Sequence, residues 1–212
     1  MFVTDHDIRL LLEQLIERNC ASRVGTVDES DFYNRTYPLQ LAEFARLRAR
    51  CAWTVDDVLM RFSSVYGWMP RGIQRWNTEA VPSLVTLLNE DDPDERHILI
   101  KVASRCINNS VVGASKFLHF FDPDCFPIFD SVVASLWWPD DKKVTLARYE
   151  IYWAGAMMVS DRAVRDAQAW ARHWLGYDVS GMRAVESMAF YIQRRSRKGH
   201  PPGTVTQSDE DD

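Results

Sequence analysis

A chain of 212 residues with 46% hydrophobic and 26% charged residues can bury one substantial core, and its balance excludes a disordered or fibrous protein. The formal charge of −5 gives phosphate binding no support, although four of the acids are the last four residues (Asp209, Glu210, Asp211 and Asp212), which leaves the rest close to neutral. The longest apolar runs, such as the one from Ile151 to Val159, are too short and too close to charges to cross a bilayer.

The N-terminal stretch mixes acids with apolar positions and resembles neither a signal nor a transit peptide, so a cytoplasmic protein is expected. Ile8, Leu11, Leu12, Leu15 and Ile16 recur at helical spacing after the capping residues Thr4 and Asp5, which predicts a helix over 5–19. An irregular loop over 20–37 precedes a helix predicted from Pro38 to Arg50, where proline would occupy the first turn. The sequence TVDD then opens a helix over 54–66, closed by Gly67 and Pro70. Further helices are expected over 81–89, 94–107, 111–121, 131–137, 145–159, 161–175 and 181–194. No alternating strand is evident beyond a short extended piece at 126–129.

The expected architecture is all-α, compact and two-lobed, with residues 1–195 as a single helical domain. Residues 196–212 lose apolar side chains and gain Pro, Gly and charge, which predicts a disordered acidic tail. Cys20, Cys51, Cys106 and Cys125 lie far apart with no CxxC pair, so reduced thiols and no metal or cofactor are expected.

One segment carries chemistry. Lys116 falls within the 111–121 helix, and Asp130 follows fourteen residues later, just before the next helical run. The intervening FDPDCFPIF reads as a turn by its two prolines, so the chain folds back and presents Asp130 where a helix cap would sit. A lysine amine and a carboxylate brought together this way could attack a sugar C1′ and stabilise the positive charge that develops there. The residue-level alternatives are a solvated surface lysine and a plain capping aspartate, because Lys116 projects away from the apolar face of Ala114, Phe117, Leu118 and Phe121.

The sequence GASKFLHFFDPDCFPIFDS resembles the corresponding segment of bacterial 8-oxoguanine glycosylase-like proteins, members of the helix-hairpin-helix glycosylase superfamily often found among mobile and anti-phage genes. The resemblance implies a DNA glycosylase, with or without lyase activity, acting in repair or anti-phage defence. It gives Lys116 the role of Schiff-base nucleophile and Asp130 that of catalytic carboxylate. The implied partner is DNA, with a modified base flipped from a duplex or presented in a single strand. The chain departs from the family at the hairpin, which reads INNSVVG with only Gly113 where the superfamily has leucine, proline and closely spaced glycines. It also lacks the grouped cysteines of the iron–sulfur glycosylases.

A flipped base needs faces to stack between, and Trp68 and Met69 in the YGWMP turn are the chosen candidates. Gly113, Ser115 and His119 complete the candidate substrate-binding set, with His119 read as a surface side chain one turn after Lys116. Arginines at 46, 48 and 50, at 71 and 75, and at 194, 195 and 197, with Lys198, are candidate phosphate contacts or solvated helix faces. The alternative function is a glycosylase-derived helical module that binds nucleic acid or a partner protein without catalysis.

Overall fold

The computed structural model describes residues 3–22, 27, 31–50, 52–69, 72–141 and 143–197. The described residues form ten α-helices and a 3-10 turn, with a single isolated bridge between Trp76 and Ile107 in place of any strand. None of these helices is long and apolar enough to cross a membrane.

Helix α1 (Asp5–Asn19) starts on a reciprocal capping box in which Thr4 and Asp7 satisfy each other's backbone N–H groups. Helix α2 (Phe32–Arg48) begins six residues earlier than the sequence predicted, capped by Asp31, and holds Pro38 in its interior. The proline removes the N–H that would bond the carbonyl of Asn34, and the Tyr177 hydroxyl donates to that carbonyl instead, at 3.4 Å. Helix α3 (Val55–Tyr66) uses the expected box, Thr54 with Asp57. Helix α4 (Ala80–Glu90) carries Pro82 in its first turn, and the 3-10 turn Pro93–Glu95 leads into α5 (Arg96–Cys106).

Helix α6 (Val111–Phe121) is the axis of the molecule. Every residue from Gly113 to Phe121 except Lys116 is buried, because α2, α3 and α5 all pack on it. Helix α7 (Ser131–Ala134) is only four residues long, so the predicted helix to Trp137 ends early and its last residues form turns. Helices α8 (Leu146–Met157), α9 (Asp161–Leu175) and α10 (Gly181–Arg197) complete the chain, with α10 running three residues beyond the predicted end. The rest of the expected disordered tail, 198–212, lies outside the described residues.

The helices pack in two groups. In one, α2 to α6 follow each other; in the other, α1 joins α7 to α10. One continuous hydrophobic core runs through both, from Ile8 and Leu12 on α1 to Phe62 and Phe117 in the first group and Met188 on α10. The segment 122–130 links the two groups, and the candidate site lies beside it.

Candidate active site

Asp122 begins the link by closing α6, and its Oδ1 accepts the backbone N–H groups of Asp124 and Cys125, each at 3.2 Å. Arg96 on α5 forms an ion pair with the same carboxylate. The next contacts fix the chain residue by residue. The Trp153 indole donates to the Cys125 carbonyl at 2.8 Å and stacks on Phe126, and Ser180 donates to the Pro123 carbonyl at 2.6 Å. Ser115 on α6 then clamps the far end, its Oγ accepting from the Phe129 N–H at 3.2 Å. Asp130 follows immediately and caps α7, with Oδ1 accepting from Val132 and Val133 at 2.8 and 3.0 Å. Among the described residues nothing hydrogen-bonds its Oδ2.

Lys116 points from α6 toward the same place. Its amine is half-buried and donates to the Trp68 carbonyl at 3.4 Å, so the surface-lysine alternative does not hold. Lys116 and Asp130 line one cavity of about 310 Å3. Burial lowers the Lys116 pKa, the carboxylates of Asp130 and Glu186 oppose that shift, and the Arg183 guanidinium adds to it. The double-proline turn therefore brings the two side chains to one cavity, with Asp130 capping the four-residue α7.

The other candidates divide. Trp68 lines the cavity, buried to 5% exposure, with its indole N–H donating to Thr36 Oγ1 at 2.9 Å. Met69 packs against the core and is absent from the cavity wall. Gly113 is a packing glycine, since a Cβ there would meet the Tyr66 hydroxyl at 2.7 Å. Ser115 is fully buried and holds the Asp130 segment rather than a ligand. His119 is no surface residue: it is fully buried, its Nδ1 donating to the Phe126 carbonyl and its Nε2 accepting from the Tyr37 hydroxyl, both at 2.7 Å. Burial holds its pKa down to about 3, so it stays neutral away from the cavity.

The arginine clusters also separate. Arg46 pairs with Glu43, while Arg48 pairs with Asp91 and donates to the Phe121 carbonyl at the end of α6. Arg194 lines the cavity, and Arg75 lines an open groove at the α5–α6 hairpin with Trp76, Arg105 and Asn109. Arg71 and Lys198 lie outside the described residues. In that hairpin Asn108 and Asn109 take left-handed conformations, φ 54° and 51°, and so supply the turn that glycines would otherwise provide. The Asn108 side chain is engaged by the chain itself, accepting from Gln74 and Arg75 and donating to the Gly72 carbonyl.

The sequence reading missed the opposite wall. Glu186 on α10 is 2% exposed, forms an ion pair with Arg183, and lines the cavity with Arg183 and Ser187. Arg183 also covers the Tyr37 ring, its guanidinium carbon 4.7 Å from the centroid. Burial raises the Glu186 pKa to about 7, against the pull of Arg183. A signal existed: Glu186 follows Met182 by four residues and precedes Ala189 by three, so it interrupts the apolar stripe of an amphipathic helix. No family model, curated protein or solved structure matches this chain.

Proposed function

We propose that the protein cleaves N-glycosidic bonds in DNA, with Lys116 as the nucleophile and Asp130 as the stabilising carboxylate. The observation that carries this reading is the shared cavity, which a desolvated lysine amine and the Asp130 carboxylate line together. Desolvation favours the neutral amine that the chemistry needs, and the Trp68 carbonyl orients it. The Nζ lone pair forms a bond to C1′ as the C1′–N bond breaks, and the departing base keeps that electron pair and takes up a proton. Asp130 offsets the positive charge on the sugar during the exchange. An amine proton then passes to the ring oxygen O4′ as the C1′–O4′ bond breaks, which leaves a protonated imine.

Borohydride delivers a hydride to that imine and fixes the protein to DNA. Incubation with oligonucleotides carrying an abasic site or one modified base each should yield a trapped adduct, and Lys116→Ala should reduce it by at least about a hundredfold. Trapping that survives Lys116→Ala would remove the lysine from the mechanism. A second reading, a module that binds nucleic acid or a partner protein without catalysis, is favoured by the groove that Arg75, Trp76 and Arg105 line beside the hairpin. Oligonucleotide binding without any adduct would select it.

A further inference from the structure

The short extended stretch before α4 carries an open backbone edge. Asn77 donates to the Cys106 carbonyl at 2.8 Å and Asn108 to the Arg75 carbonyl at 3.1 Å, so the bridge between Trp76 and Ile107 turns the N–H and C=O of Trp76 outward. Among the described residues neither group has a hydrogen-bond partner. An edge of this kind is a template for another extended segment, which can exchange both bonds with Trp76 at one residue. The side chains around it are equally unengaged. Trp76 is 45% exposed, and Arg75 and Arg105 are exposed and form no ion pair among the described residues. All three line the groove beside the hairpin, where Glu79 is the one carboxylate among the described lining residues.

We propose that this edge and its two arginines take an acidic segment of the same chain, residues 204–212, as an added strand. The segment reads TVTQSDEDD: Thr204, Val205 and Thr206 favour an extended backbone, and Asp209, Glu210, Asp211 and Asp212 carry the charge that Arg75 and Arg105 lack. A phosphate diester would match the arginines but has no donor for the Trp76 carbonyl, whereas a peptide supplies donor and acceptor together. The segment has too few apolar side chains to fold alone, and it gains backbone partners by adding to an edge that is already fixed. The chain can reach. Arg197 lies about one turn past Arg194, which shares the Lys116 cavity, and Asn109 lies about 10 Å along α6 from Lys116. From Arg197 an extended chain spans up to about 27 Å by Val205 and about 40 Å by Asp209. Exposed ion pairs contribute little singly, but the covalent tether raises the effective concentration to roughly the millimolar range. Nucleic acid or a partner protein has to displace the segment before it can use the groove.

Amide hydrogen exchange in the full chain, followed by NMR, tests the placement, because strand addition protects a Trp76 N–H that otherwise faces outward unbonded. One variant carries Asp209→Asn, Glu210→Gln, Asp211→Asn and Asp212→Asn together, and a second carries Arg75→Gln with Arg105→Gln. At low ionic strength the Trp76 amide should exchange about tenfold or more slowly in the wild type than in either variant. About 1 M salt should remove most of that difference. Amides of α5 and α6 in the same spectra should keep their rates, which separates loss of the strand from loss of the fold. Equal Trp76 rates in the wild type and the tail variant would overturn the proposal, and so would protection that survives the loss of both arginines. Protection that rises with protein concentration would assign the strand to a second copy and overturn the intrachain placement.

Discussion

His119 is held at both ring nitrogens, so a second proton on the imidazole would have to displace the Tyr37 hydroxyl hydrogen from Nε2 inside a fully buried site. Burial is the main reason its pKa lies near 3 rather than 6.5, and the nearby Arg183 charge adds to it. Because the folded pKa is depressed, His119 contributes stability above pH 6.5 that is lost as pH falls toward 3. Glu186 has the opposite sign. Its raised pKa contributes stability that is complete below pH 4.5 and lost as pH rises through about 7. Urea unfolding followed from pH 7 to pH 4 should therefore show His119→Gln less stable than wild type at pH 7 and flatter across the acid range. An equally steep acid dependence in the variant would place the effect on other groups. Lys116 and Asp130 were legible because they lie close in sequence around a proline turn. His119 was not, because a helical wheel shows one apolar face and cannot show that α6 is packed on nearly all of its sides.

At the scale of elements, α2 and α7 show where local signals compete with distant ones. Pro38 reads locally as a helix start, and only Tyr177, far along the chain, supplies the donor that makes it tolerable in the interior of α2. The run SVVASLW is helical by pattern, yet Trp137 and Trp138 turn to pack near Tyr152 and Phe129, and α7 ends at Ala134. By contrast α1, α3, α6 and α9 carry their own caps or periodicity and match their predicted spans within a residue. Gly155 on α8 marks a close helix contact: a Cβ there would lie 2.5 Å from the Asp5 carbonyl oxygen and 2.5 Å from Ile8 Cβ on α1. Neither neighbour is the end of a flexible side chain. Gly155→Ala should force α1 from α8 and lower the Tm by roughly 5–10 °C in a calorimetric scan, for about 1–3 kcal/mol of overpacking. Gly113→Ala meets the outer part of the Tyr66 side chain rather than backbone and should cost less; the reverse order would mean that the α1–α8 contact is soft.

For the molecule as a whole, the sequence was sufficient for an all-helical chain with one core, but it could not place α10 opposite Lys116. That juxtaposition depends on how two helix groups meet, and the partners on α10 lie about seventy residues beyond Lys116 in sequence. The grouping also sets an order of assembly. Helices α2 to α6 contact sequence neighbours, so their loops close early and at small entropic cost. Helix α1 is made first but packs on α8, α9 and α10, which emerge last. Pulse-labelled hydrogen exchange during refolding should therefore protect amides of α5 and α6 before those of α1, α8 and α10, and simultaneous protection would mean that both groups condense in one step. On the ribosome the same order holds Lys116 exposed to water, and without its far wall, until the final helix has docked. The desolvation that lowers the pKa of its amine is therefore complete only once α10 is in place, and the charge on Lys116 becomes a reporter of the last docking step.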